Sequence, residues 1–147
     1  MTLIFARQSL RDRKGQAIVE FALVLPVFML MLFGAIEFGR AYYDLHLLTT
    51  SAREGARVGV LPGKVETDVQ NAVSQFLQSV SLSGGWTQAV TVKDVSGTTR
   101  TGGLAAAIEG DRVYVTVNYS FHVLAGRILP GFTGTVQLHG KCVMRHE

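Results

Sequence analysis

The chain has 147 residues, with 14 Lys and Arg against 11 Asp and Glu, a pI near 9.3 and a single cysteine. That length provides for one apolar span and one domain of about 85–105 residues, not for two cores, and the lone Cys142 excludes an internal disulfide. The basicity is no nucleic-acid signature: Arg7, Arg11, Arg13 and Lys14 sit with Asp12 ahead of residue 15, and beyond them ten basic and ten acidic residues balance.

Taken in chain order, the basic leader meets a long apolar segment at Gly15. From Ala17 to Gly39 the only charges are Glu20 and Glu37. As a helix this stretch rises about 34 Å, enough to cross a bilayer. It is longer than the apolar core of a secretory signal, so the span is expected to stay in the protein. The leader's positive charge favours a cytoplasmic N-terminus, although Arg40, Arg53 and Arg57 follow on the far side.

Glu20 is the anomaly of this segment. A carboxylate just inside a span costs on the order of 1–3 kcal/mol, which calls for a partner or a use. The bland alternative is a side chain at headgroup level, favoured by the helix N-terminus. Glu37, at the distal end, reads as reaching interfacial water or pairing with Arg40 one turn on. Pro26 lies within the span, where it removes a backbone hydrogen bond and predicts a kink that helix packing can repair.

The junction Arg13-Lys14-Gly15-Gln16-Ala17-Ile18-Val19-Glu20-Phe21 resembles the processing site of type IV prepilins and pseudopilins. The longer string RKGQAIVEFALVLPVFMLMLFGAIEFGR, with SAREGARVG at 51–59, resembles the TadE-like proteins of the tight-adherence (Tad/Flp) pilus machinery. One departure is Phe21, where the small Flp pilins usually carry Tyr.

The resemblance implies that residues 1–15 form a leader removed by a prepilin peptidase between Gly15 and Gln16. Residues 16–39 would then be the transmembrane helix and 40–147 a small exported domain. It further implies that Glu20 pairs with the terminal amine of a neighbouring subunit, an ion partner that offsets the lost hydration of a buried carboxylate. The implied partners are the peptidase, other pilin or pseudopilin subunits, the inner-membrane assembly platform and membrane lipid, with no nucleic acid and no cofactor. The implied location is the bacterial inner membrane, single-pass, with the C-terminal domain periplasmic or built into an extracellular pilus that serves adhesion.

Beyond the span the pattern stays helical. Leu45, Leu48, Ala52 and Ala56 fall on one stripe, with Asp44, Arg53, Glu54 and Arg57 off it, and Leu61-Pro62-Gly63 ends the helix after about Gly59. The small residues of Ser51–Ala56 suit either a second chain's backbone or the chain's own sheet. A second helix is predicted over 65–80 from the apolar spacing of Val65, Val69, Val73, Phe76, Leu77 and Val80, closed by Ser83-Gly84-Gly85.

Three strands follow, at 87–95, 112–124 and 135–145. In the second, Val113, Val115, Val117, Tyr119 and Phe121 alternate with polar residues. In the third, Val136, Leu138, Cys142 and Met144 oppose Gln137, His139, Lys141 and Arg145, which makes Cys142 a small buried residue. The segment 96–110, rich in Gly, Thr and Ala, reads as a mobile connection with a turn near Leu104–Ile108. Trp86 is read as packing at a strand start.

Little in the sequence points to catalysis. His139, Cys142 and His146 have metal-like spacing, but alternation puts His139 and Cys142 on opposite strand faces. Glu66/Asp68 and Glu109/Asp111 read as a helix start and a turn. No nucleophile, base and orienting group assemble, so no enzyme is expected. The expected fold is α+β and pilin-like: a long N-terminal transmembrane helix, then a second helix on an antiparallel sheet of three to four strands. A pseudopilin or minor pilin is the leading reading, and a binding module merely anchored by its helix is the alternative.

Overall fold

The computed structural model describes residues 11–82, 85–124 and 134–146, with side chains from residue 15 onward. The leader's first ten residues and the Ser83-Gly84 end signal lie outside them. The element order is α1 (Arg11–Gly59), α2 (Glu66–Ser79), β1 (Trp86–Lys93), a 3-10 turn (Gly103–Ala106), β2 (Arg112–His122) and β3 (Thr135–Arg145). The fold is α+β, with a three-stranded antiparallel sheet in the order β1-β2-β3. The chain divides into two units, Met1–Ile36 and Glu37–Glu147.

The first unit is the apolar part of α1. Its large side chains are bare: Ile18, Phe21, Leu23 and Met31 are 64–73% exposed. A helix with apolar residues on every side and nothing covering them is one that a hydrocarbon environment suits. By length and composition it can span a membrane.

The second unit is built around one core. Leu48, Ala52 and Ala56 of α1, Val69, Val73 and Leu77 of α2, and Val113, Val115 and Val117 of β2 are all fully buried. The predicted stripe of α1 and the alternation of β2 are therefore the two surfaces that meet. Asp68 starts α2 by accepting from the Val65 N–H at 3.2 Å, a carboxylate in the first turn satisfying a free donor.

Small residues set how closely the layers approach. A Cβ on Gly55 would lie 2.5 Å from Val73 Cγ2, and one on Gly59 3.1 Å from both Val113 Cγ1 and Val69 Cγ2. On β3, a Cβ on Gly140 would run into the backbone of Leu48 and lie 2.7 Å from its Cβ. Of the two uses open to Ser51–Ala56, this unit shows packing onto the chain's own helix and sheet.

Three expectations are refined. β1 ends at Lys93 rather than 95, because the Asp94 carboxylate accepts from Ser96 Oγ at 2.6 Å and the Thr98 N–H at 2.9 Å and turns the chain. The connection that follows is tied down. The Arg100 N–H donates to the Val92 carbonyl at 2.9 Å, Thr99 bridges to Lys93, and Leu104 enters the core at 3% exposure. Cys142 is half-buried, packed against the core from the even-numbered face of β3. Trp86 also packs against the core.

Candidate functional site

Gly15, Gln16, Glu20 and Pro26 all lie on α1, which runs unbroken from Arg11 through Pro26. Gly15 has open space around it, with nothing within 4 Å of an added Cβ. One turn on, Gln16 Nε2 donates to Glu20 Oε1 at 3.1 Å, and both residues are exposed. The helical spacing thus brings residue 16 against the Glu20 carboxylate within a single chain. Pro26 has no N–H to give, so the Ala22 carbonyl lacks its usual helical donor.

The peptide bond between Gly15 and Gln16 lies inside α1. A protease that reads extended backbone has to unwind the helix locally to reach it. A glycine at that point lowers the helical preference by about 1 kcal/mol relative to alanine, which makes the opening cheaper.

Glu37 has a role the sequence reading did not foresee. Its Oε2 accepts from Arg40 Nη1 at 3.3 Å, as expected, while its Oε1 accepts from the Leu124 N–H at 2.8 Å. The Arg40 guanidinium in turn lies 5.2 Å from the centroid of Phe121. The carboxylate therefore joins α1 to the chain leaving β2, accepting from the Leu124 amide just beyond Val123, whose N–H still donates across to the Gly134 carbonyl at 3.1 Å. Asp44, one turn beyond Arg40 on α1, has its carboxyl pushed up by partial burial, partly offset by Arg40.

Asp111 is the second departure from expectation. The sequence suggested a turn residue, but the side chain is 2% exposed and held by Arg100, whose Nη2 donates at 2.7 Å, and by the Ile108 N–H at 3.0 Å. The Arg100 hydrogen bond is the main cause that holds its carboxyl below the usual carboxylate range; burial acts against it. The Asp111 carbonyl accepts from the His146 N–H at 2.7 Å, and the Gly110 N–H donates to the His146 carbonyl at 3.0 Å. These bonds lock the end of β3 to the 96–111 connection. No local pattern signals this pair, since Arg100 and Asp111 are eleven residues apart in a segment without periodicity.

Among the described residues no three His, Cys, Asp or Glu side chains form a group that could hold a metal. His139 faces away from the core, with Nδ1 2.7 Å from Asn118 Oδ1, while Cys142 packs inward. A shallow groove on α1 is lined by Tyr42, Leu45, His46, Thr49 and Arg53, with Tyr42 lying edge-on to His46.

No curated protein and no solved structure matches this chain. Residues 15–57 match the family model for TadE-like protein, a stretch that begins at Gly15 and ends within the small-residue run against α2 and the sheet. The similarity to TadE-like protein is thus confined to residues 15–57, a stretch coextensive with most of α1.

Proposed function

We propose that this chain is a pseudopilin or minor pilin that takes part in building a Tad/Flp-type pilus. The observation that carries the reading is the TadE-like match over an apolar helix whose surface the chain itself leaves bare. A prepilin peptidase hydrolyses the Gly15–Gln16 amide on the cytoplasmic side. Water adds across the bond, leaving a carboxylate on Gly15 and an ammonium on Gln16. The helix then holds the protein in the inner membrane, with the α+β domain on the opposite side.

In this reading Glu20 is the assembly carboxylate. Lateral packing of subunits buries it, and the Gln16 ammonium of a neighbour supplies the counter-charge that the Gln16 amide cannot. A buried pair broken by removal of one member typically costs 3–5 kcal/mol, so assembly is sensitive to this one side chain while insertion is not. Pro26 provides a local kink that lets neighbouring helices pack within a filament. Other pilus subunits, the inner-membrane assembly platform and lipid are the partners.

The test is intact mass and N-terminal sequencing of protein recovered from its native membrane. A chain beginning at Gln16 is expected. An intact leader, or a cut beyond the apolar segment, would overturn the processing and remove the reason for Glu20. In parallel, Glu20→Gln is expected to insert normally yet fail to enter the pilus fraction.

A further inference from the structure

The sheet has two unlike faces. One is covered by α1 and α2; the other is open and carries the alternate residues of each strand. Strand register places three cations of this open face in one row. Arg112 at the centre of β2 is the Cα partner of Lys93 on β1 and of Arg145 on β3. A fourth cation, Lys141, converges on the same patch: its Nζ lies 5.1 Å from the Tyr114 centroid, and Lys93 Nζ lies 5.3 Å from it.

Like charges directly opposite one another in a sheet are destabilising. Here three stand side by side, and among the described residues none of these four cations is ion-paired. The acids adjoining Lys93 and Arg112 in sequence are engaged elsewhere, Asp94 with Ser96 and Thr98, and Asp111 with Arg100. The open face itself carries no acidic side chain. Tyr114 stabilises the two lysines through its ring quadrupole but brings no counter-charge.

We propose that this open face binds an acidic polysaccharide, with the anionic groups of the polymer seated on Lys93, Arg112, Lys141 and Arg145. The chemistry of the rest of the face selects that occupant. Next to the cations, the cross-strand pairs Asn118–His139 and Ser120–Gln137 present amide, imidazole and hydroxyl groups to solvent, a flat polar surface that suits a hydroxyl-rich chain. A protein partner normally inserts apolar or aromatic anchors at the centre of its interface, and this face offers only Val143 beside the partly covered Tyr114. A lipid surface is held most firmly where apolar side chains insert beside the cations, and the exposed large apolar side chain of this face is Val143 alone. The proposal concerns only this domain and stands apart from the processing of Gly15.

The experiment uses the full chain in nanodiscs of zwitterionic lipid. The probes are an alginate oligosaccharide, a neutral dextran of equal length, a DNA duplex and vesicles containing anionic lipid. Binding of alginate over dextran at low ionic strength, weakening with added salt, is expected. The triple variant R112Q/K141Q/R145Q should bind at least about tenfold more weakly, three exposed charge contacts each contributing a factor of a few, while Lys64→Gln binds as the parent does. No alginate binding, equal binding by the triple variant, or tighter binding of the DNA or the vesicles would overturn the proposal. A second readout needs no ligand. Arg112→Gln should leave the thermal midpoint unchanged or raise it, because it relieves repulsion; a lowered midpoint would show Arg112 already satisfied and would overturn the argument.

Discussion

Gly140→Ala is the sharpest test of how the helical layer is seated on the sheet. The added methyl would collide with the backbone of Leu48 and lie 2.7 Å from its Cβ, where carbon atoms normally rest about 3.5–4.0 Å apart. The obstacle is mainly main chain in a helix, so no rotamer change clears it. Either α1 lifts by about 1 Å or β3 bends. Overpacking of this kind costs roughly 1–3 kcal/mol, and lifting the helix by that distance forfeits a further part of the contacts of Leu48 and Ala52. The better strand preference of alanine returns about 0.5–1 kcal/mol. The net loss is about 1–2 kcal/mol, which for a unit of this size lowers the melting temperature by roughly 5–10 °C. Trp86, the single tryptophan and part of the core periphery, reports unfolding by fluorescence in full-length protein held in detergent. Gly39→Ala, a helical site with nothing within 4 Å, serves as the control and should be neutral or stabilising. A Gly140→Ala melting temperature within about 2 °C of the parent would refute the close seating of α1 on β3.

Three further outcomes are expected. Gly55→Ala should lose about 1–2 kcal/mol through its contact with Val73, and Val73→Ala should recover part of it; strictly additive effects in the double mutant would contradict the contact. Asp111 has a folded pKa below its unfolded value of about 3.9, so its contribution is complete above that pH and is lost as pH falls through the folded value. Asp111→Asn should therefore weaken the domain at neutral pH and flatten the acid limb of its stability curve below about pH 4; an unchanged acid limb would place the titration elsewhere. Glu37→Ala removes the acceptor of the Leu124 amide, whose hydrogen exchange should accelerate by about tenfold, in line with a hydrogen bond to a charged group. Unchanged exchange at Leu124 would mean that the junction between α1 and β2 is held by other contacts.

Much of this architecture is written in local patterns. The uncharged run between Glu20 and Glu37 marks an apolar helix because every turn is hydrophobic, and Leu48, Ala52 and Ala56 mark where the helix becomes one-sided. Strict alternation in β2 marks a central strand, and the bounds of β3 follow from the same period. These features need only the spacing of side chains along one element, which is why they are legible without knowledge of any neighbour, as is the similarity of residues 15–57 to TadE-like protein.

Other features depend on which elements become neighbours, and they emerge only once the chain has folded. Composition made 96–110 look like an untethered connection, but Leu104 finds a place in the core and Arg100 meets Asp111 across eleven residues. Glu37 read as an interfacial charge until Leu124, 87 residues away, supplied its donor. Gly140 is an unremarked strand residue in the sequence and a point of backbone contact in the fold. The cationic row exists only because strand register aligns Lys93, Arg112 and Arg145. In each case the partner is distant in sequence, and no local period encodes a contact that chain folding alone brings within reach.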